Sequence, residues 1–164
     1  VRQFVDPDTG EVFYEEQILR RPDEIVKVFR PVGRSAKFVK IKASHKAKRR
    51  LRKLSLAEAG FFLKIAPYAS EGTNLLLGDN ERGQKGVPLT IKELARIADC
   101  SYPQARKIVK SFIEQRILRR IDIGGRAALA INPLYSLNGK EAETSLMQLF
   151  RQEITEAGED PNSE

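Results

Sequence analysis

Tryptophan is absent from this 164-residue chain, and cysteine, histidine and methionine occur once each. Each scarcity removes a class of chemistry. One cysteine, Cys100, cannot close an internal disulfide, which sets a reducing cytosol as the expected compartment. Nothing around Cys100 marks an activated thiolate, so it reads as a small apolar side chain headed for the interior. His45 has no cysteine, histidine or carboxylate at ligand spacing, and it reads as a polar surface residue rather than a metal ligand. Strand-nicking chemistry that needs a histidine pair beside a tyrosine is excluded on the same count. No Ser/His/Asp set, paired carboxylates or cysteine-rich zinc spacing appears, so neither catalysis nor a cofactor is expected. No apolar run approaches the ~20 residues of a membrane span, and no signal-peptide pattern is present. Acidic residues are missing altogether from Ile25 to Ala57.

What is present is cationic. Lysine and arginine outnumber aspartate and glutamate by 29 to 22, for a formal charge of +7, which points to anionic partners. The acid-free stretch holds Lys46, Lys48, Arg49, Arg50, Arg52 and Lys53 among its cations. Ala43, Ala47, Leu51 and Leu54 fall there at helical spacing, so a helix can turn a thin apolar stripe inward and its charges outward. A solvated face normally mixes signs, so phosphate contact is the favoured reading of this run.

The organising stretch is Pro88 to Ile131, PLTIKELARIADCSYPQARKIVKSFIEQRILRRIDIGGRAALAI. Thr90 and Glu93 form a capping box, Ser101 and Gln104 repeat the spacing, and Ser55 with Glu58 opens an earlier helix in the same way. Leu94, Ala95, Ile97 and Ala98 supply one short apolar face. Ala105, Ile108, Val109, Phe112 and Ile113 supply a second at i, i+3, i+4, i+7 and i+8. Two capped helices across a short turn make a helix-turn-helix. Leu118–Ile123 and Arg126–Ile131 around Gly124-Gly125 read as a hairpin. The fold class expected is therefore mainly α with a small β component (α+β), a winged helix-turn-helix.

The expected organisation is a β-prone basic extension over residues 1–42, the winged helix-turn-helix over 43–137, one C-terminal helix over 138–157 and an acidic disordered tail over 158–164. Phe4-Val5 and Val12-Tyr14 flank a turn cluster at 6–11, and Ile25–Phe29 and Phe38–Ile41 read as further strands. Leu75–Leu77 and Val87–Leu89 predict a hairpin around a long mobile polar tip. Gly78 and Gly83 there give half of a phosphate-binding loop, but Gln84-Lys85-Gly86 stands where Lys-Ser/Thr is required. Ala142, Leu146, Leu149, Phe150 and Ile154 predict a helix that covers its own core or pairs with a second copy.

With the buried face of the second helix assigned, its outward side chains can be named. Ser101, Tyr102, Gln104 and Arg106 are the candidates for reading base edges, since the first turns of such a helix enter the major groove. Lys107 and Lys110 suit phosphates, as do Arg119, Arg120 and Arg126 on the wing and the basic run of the preceding helix. The partner expected is double-stranded DNA, bound by a homodimer with no membrane involved. RNA binding or protein docking is the alternative, and Tyr102 and Tyr135 are the candidate stacking aromatics for RNA.

From Pro88 to Gly139, with Gly125-Arg126, Asn132-Pro133 and Gly139 at its end, the sequence resembles phage- and plasmid-encoded winged-helix proteins related to RepL-type plasmid replication proteins. The resemblance spans roughly Ser55 to Phe150, and more distantly the core resembles MarR-type repressors. It implies sequence-specific duplex binding in replication initiation or transcription control of a mobile element, alongside replication or transcription machinery. Two departures stand out: Asp99 where the turn usually has glycine, and Pro103 early in the second helix.

Overall fold

The computed structural model describes residues 38–162 in full and, before them, the backbone of three strands. The chain divides into two compact units, Val1–Lys37 and Phe38–Glu164. In the first unit β1 (Arg2–Val5), β2 (Val12–Arg21) and β3 (Glu24–Pro31) form an antiparallel sheet in the order β1-β2-β3. Val5 faces Val12 and Ile18 faces Val26 across the ladders. The turn cluster expected at 6–11 lies outside the described residues.

The basic extension was expected to run to residue 42, yet the second unit begins at Phe38. There β4 (Val39–Ile41) pairs antiparallel with β7 (Ser136–Asn138), and the Lys42 amide donates to the Tyr135 carbonyl at 3.0 Å. Pairing partners a hundred residues away are invisible to local pattern. The rest of this unit is α1 (His45–Leu51), α2 (Leu56–Ile65), a 3-10 turn at Ala66–Tyr68, α3 (Ile91–Ala98), α4 (Tyr102–Glu114), β5 (Leu118–Ile123), β6 (Arg126–Ile131), α5 (Thr144–Leu149) and α6 (Arg151–Ala157). The protein is mixed α+β, with small antiparallel sheets.

The helices start where their polar residues satisfy free amides. Ser55–Glu58 and Thr90–Glu93 form complete capping boxes, each worth about 0.5–2 kcal/mol to its helix. Ser44 opens α1 by accepting from the Ala47 amide at 3.1 Å. Hydrogen bonds from the Ser55 amide and the Ser111 hydroxyl hold the Glu58 carboxyl below its ordinary pKa, against a smaller opposing effect of burial.

The main core gathers Phe61, Phe62 and Ile65 from α2, Leu94 and Ala98 from α3, Ala105, Ile108, Val109 and Phe112 from α4, and Leu118, Leu129 and Ile131 from the hairpin. Phe112 is wholly buried, with Phe61 and Phe62 edge-on at 6.0 and 6.4 Å between ring centroids. The β5–β6 ladder pairs Arg119 with Ala130 and Arg120 with Leu129. Because side chains alternate across a strand, Leu129 and Ile131 enter this core while Ala130 joins a second cluster with Leu137, Ala142, Leu146 and Phe150. The hairpin is thus a wall with a hydrophobic cluster on each side.

The C-terminal segment differs from the single helix expected. It breaks at Phe150, whose backbone sits at φ −109°, ψ 21° and whose ring is fully buried. Leu75–Leu77 and Val87–Leu89 make isolated bridges rather than strands: Leu77 pairs with Pro88, and Leu75 pairs with Ala130 of β6. The intervening loop closes on itself. The Asp79 carboxylate accepts from the Glu81 and Arg82 amides at 3.0 and 2.8 Å, and the Asn80 side chain accepts from the Lys85 amide at 2.9 Å. A Cβ on Gly78 would lie 2.4 Å from the Gln84 carbonyl oxygen, so glycine is required there by close backbone approach.

Candidate nucleic-acid interface

The segment joining α3 to α4 is three residues long, and its chemistry fixes the angle between the helices. Asp99 takes a left-handed conformation, φ 56°, ψ 51°, and its amide donates back to Ala95 and Arg96. Aspartate tolerates this region better than most residues, which explains why the usual glycine is dispensable. Ser101 then caps α4 by accepting from the Gln104 amide at 3.3 Å. The return bond from the Gln104 side chain is not formed, so its amide group is not engaged at the cap. Pro103 occupies the first turn, where its missing N–H removes no helical bond. Cys100 is partly buried against the core.

Successive residues of a helix step around its axis by about 100°. Ala105, Ile108, Val109 and Phe112 are buried; the arc opposite them carries Pro103, Lys107, Lys110 and Glu114, and Arg106 lies on the shoulder toward Tyr102, all exposed. Tyr102, 42% exposed, lies between that arc and the hairpin. Gln104 is exposed on the far flank. Among the described residues Lys110 pairs with Glu114, at 3.9 Å with both side chains well hydrated, a pair worth at most about 1 kcal/mol.

On the hairpin, Gly124 and Gly125 hold φ of 58° and 80°, the paired positive values that a two-residue turn demands. Asp122 accepts from the Gly125 amide at 2.9 Å. Arg120 and Arg126 are exposed on the strands beside this tip.

Arg119 was expected on the wing, and the structure places it elsewhere. Its guanidinium donates to the Leu149 carbonyl at 2.5 Å and to the Glu153 carboxylate, and lies 5.3 Å from the centre of the Phe150 ring. Strand alternation is the reason: Arg119 and Arg120 are consecutive, so Arg120 shares the face of its cross-strand partner Leu129 while Arg119, on the face of Ala130, meets α5 and α6.

Arg50 is a second correction. It donates to both oxygens of Glu159 at 2.8 and 3.2 Å and to the Leu134 carbonyl at 2.9 Å, with the Tyr135 ring 5.5 Å away. Those bonds from Arg50 hold the Glu159 carboxyl below its ordinary pKa. Burial raises the pKa of the Tyr135 hydroxyl, and a ring so enclosed is not a stacking platform. Lys46 donates to the Ala157 carbonyl at the end of α6 at 2.6 Å, where the helix dipole favours a cation. Residues 158–162, expected to be disordered, are in place: Ser44 donates to Glu159, Lys42 to the Pro161 carbonyl, and the Ala142 amide to the Asn162 side chain.

Lys48, Arg49, Arg52 and Lys53 remain exposed, as does His45. They do not lie beside Arg106. Glu58, at the start of α2 just after this run, accepts from Ser111 and Gln115 at the C-terminal end of α4. Arg106 sits nearer the other end, five residues before Ser111 and nine before Gln115, or about 8 to 13 Å along the axis. The fold therefore brings Tyr102, Arg120 and Arg126 to one cleft, leaves Arg106, Lys107 and Lys110 exposed on α4, and ties the start of α2, which follows the cations of α1, to the C-terminal half of α4.

Two buried asparagines escaped the sequence reading of function because they serve the backbone. Asn74, at φ 53°, donates to the Ile131 and Ser136 carbonyls at 3.0 and 2.8 Å and accepts from the Asn138 amide at 3.0 Å. Asn132 donates to the Arg116 carbonyl and accepts from the Leu134 amide, each at 2.9 Å. Together they fix the base of the hairpin. Among the described residues no group of three metal-ligating side chains is assembled, and no helix is long and apolar enough to cross a membrane. No family model, curated protein or solved structure matches the chain.

Proposed function

We propose that residues 38–162 form a winged helix-turn-helix that binds duplex DNA with sequence preference, α4 entering the major groove and the β5–β6 hairpin acting as the wing. One observation carries the reading. α4 commits Ala105, Ile108, Val109 and Phe112 to the core and leaves Arg106, Lys107 and Lys110 exposed, while its Tyr102 shares a cleft with Arg120 and Arg126 of the hairpin. An apolar stripe explains a helix, but it does not require three exposed cations on that helix and two more on the hairpin across an adjoining cleft.

In this reading Arg106 pairs with a guanine edge, a contact worth about 1–3 kcal/mol of discrimination. Ser101, Tyr102 and Gln104 adjoin it, Gln104 from the flank farther from the hairpin. Lys107, Lys110, Arg120 and Arg126 hold phosphates and set the register. The protein works by binding and not by catalysis. The resemblance to RepL-type proteins supports a role in replication initiation or transcription control of a mobile element. A homodimer belongs to the proposal because such motifs commonly read paired half-sites. The burial of Leu146 and Phe150 within one copy argues against α5 and α6 as the joining surface.

Selection of bound sequences from a random duplex pool, followed by titration of the selected duplex, its single strands and an RNA duplex, tests the proposal. Enrichment of a motif, with the selected duplex bound at least tenfold more tightly than the rest, is the expected result. Equal binding to all of them, or preference for RNA, would overturn it.

A further inference from the structure

A cleft of about 740 Å³ opens between α4, the start of α3 and the hairpin. Its volume falls in the range of small-molecule sites, ~300–1,000 Å³. Val109, Ile113 and Leu129 line it with apolar surface, and Tyr102 adds an aromatic wall. The surrounding polar groups are mostly of one sign. Arg120 and Arg126 reach it from the two strands of the hairpin. Glu93 also borders it, but its carboxylate already accepts from the Thr90 amide and hydroxyl at 2.7 and 2.9 Å.

An apolar wall with three cations, Lys92, Arg120 and Arg126, and one engaged carboxylate selects a particular ligand chemistry. A neutral apolar molecule would leave both guanidiniums unused, and a small inorganic anion would leave the aliphatic surface wet. We propose that this cleft binds a small amphipathic organic anion, its hydrocarbon or aromatic body against Val109, Ile113, Leu129 and Tyr102 and its charged head on Arg120 and Arg126. Tyr102, Arg120 and Arg126 also belong to the DNA-binding surface proposed above. Ligand and duplex therefore compete, and this second half of the inference rests on that reading.

The probe is 1-anilinonaphthalene-8-sulfonate, an aromatic anion that brightens in apolar surroundings, titrated into the full chain with uncharged N-phenyl-1-naphthylamine alongside. The expected result is saturable binding at one site per chain. Arg120→Gln/Arg126→Gln should weaken the sulfonate about tenfold or more, since each lost contact is charge-assisted, while the neutral probe changes little. Ile113→Glu, and independently Ala127→Trp, which fills the cleft from the strand side, should abolish binding of both probes with unchanged circular dichroism. If either variant unfolds, the other decides. Non-saturable binding, or saturable binding indifferent to these substitutions, would overturn the site. Competition is read separately: the selected duplex should displace the sulfonate. A probe that binds the cleft in a protein with no affinity for any duplex would sink the DNA reading and leave the site standing. Duplex and probe bound at once would sink only the antagonism.

Discussion

Arg119→Ala separates a cation that builds the fold from its neighbour Arg120, which faces outward. The substitution removes the bonds to Leu149 and Glu153 and the contact with the Phe150 ring. It strands Glu153, whose side chain is 6% exposed and whose second carboxylate oxygen already lacks a donor. Breaking a buried ion pair by deleting one partner costs about 3–5 kcal/mol. The Arg119 side chain is itself 39% exposed, so water replaces part of what is lost, and about 2–3 kcal/mol is the expected destabilisation. In a thermal melt that is a fall of roughly 5–10 °C. Glu153→Gln alone should cost under about 1 kcal/mol, since an acceptor for Arg119 remains and no buried charge is created. The double variant Arg119→Ala/Glu153→Gln should therefore regain most of the loss. Urea unfolding of the four proteins, read as a double-mutant cycle, gives the coupling directly. Arg120→Ala in the same series should stay within about 0.5 kcal/mol of the parent while weakening duplex binding. A stable Arg119→Ala protein, or a double variant no better than it, would refute the assignment of Arg119 to the interior.

Arg106→Ala should lower affinity for a selected duplex by about 5- to 150-fold and for random duplex much less, as fluorescence anisotropy would show; equal losses on both would contradict base reading. Neutralising Lys107, Lys110 and Arg126 should lower the slope of log affinity against log salt by roughly 2–3, at about 0.9 per phosphate contact. The same treatment of Lys48, Arg49, Arg52 and Lys53 should change it by less than about 1, because α1 stands at the other end of α4; a larger change would put duplex against α1. The Glu159 carboxyl is held low by Arg50, so its contribution to stability is fully present above the unfolded carboxyl pKa, about 4.3. That contribution is lost as pH falls through the lowered folded value. The stability difference between the parent and Glu159→Gln should accordingly shrink on going from pH 7 into the acid range, and a difference independent of pH would refute the clasp. Asn74→Ala leaves three backbone groups at the hairpin base without partners and puts alanine in a left-handed backbone that asparagine tolerates better, for a loss of about 3 kcal/mol in urea; a loss below about 1 kcal/mol would refute the staple.

Much of the architecture is legible in short-range pattern because it is made by short-range physics. The capping boxes at Ser55 and Thr90, the buried stripe of α4 and the Gly124-Gly125 turn are all decided within a few residues, and each is found where its spacing places it. Ser101 shows the limit of the same signal. Its spacing to Gln104 matches a capping box, yet only half of the reciprocal pair forms, since a neutral amide is drawn less strongly to the cap than a carboxylate is. The misjudged features depend on distant partners. β4 exists because Ser136–Asn138 lies beside it, the break at Phe150 because its ring fits beneath the hairpin, and the ordered tail because Arg50 and Lys46 meet Glu159 and Ala157.

The larger lesson concerns charge. A run of cations along a sequence is not a patch in space, and a cation is available to a ligand only when the fold has not engaged it. Arg50 and Arg119 both sit in strongly basic surroundings of the sequence, at KRRLRK and LRR, and both are held against carboxylates supplied by the C-terminal segment. The alternation rule alone separates Arg119 from Arg120 once β5 is recognised as a strand with one face on α5 and α6. No comparable local rule isolates Arg50, because the acid that engages it lies 109 residues away. Arg106 differs in kind. It sits on the exposed shoulder of α4, and among the described residues no carboxylate is placed against it. Hydrated and unengaged, it can meet an anionic partner without first giving up an internal bond, which is why the recognition reading rests on Arg106 more than on the denser charge of α1.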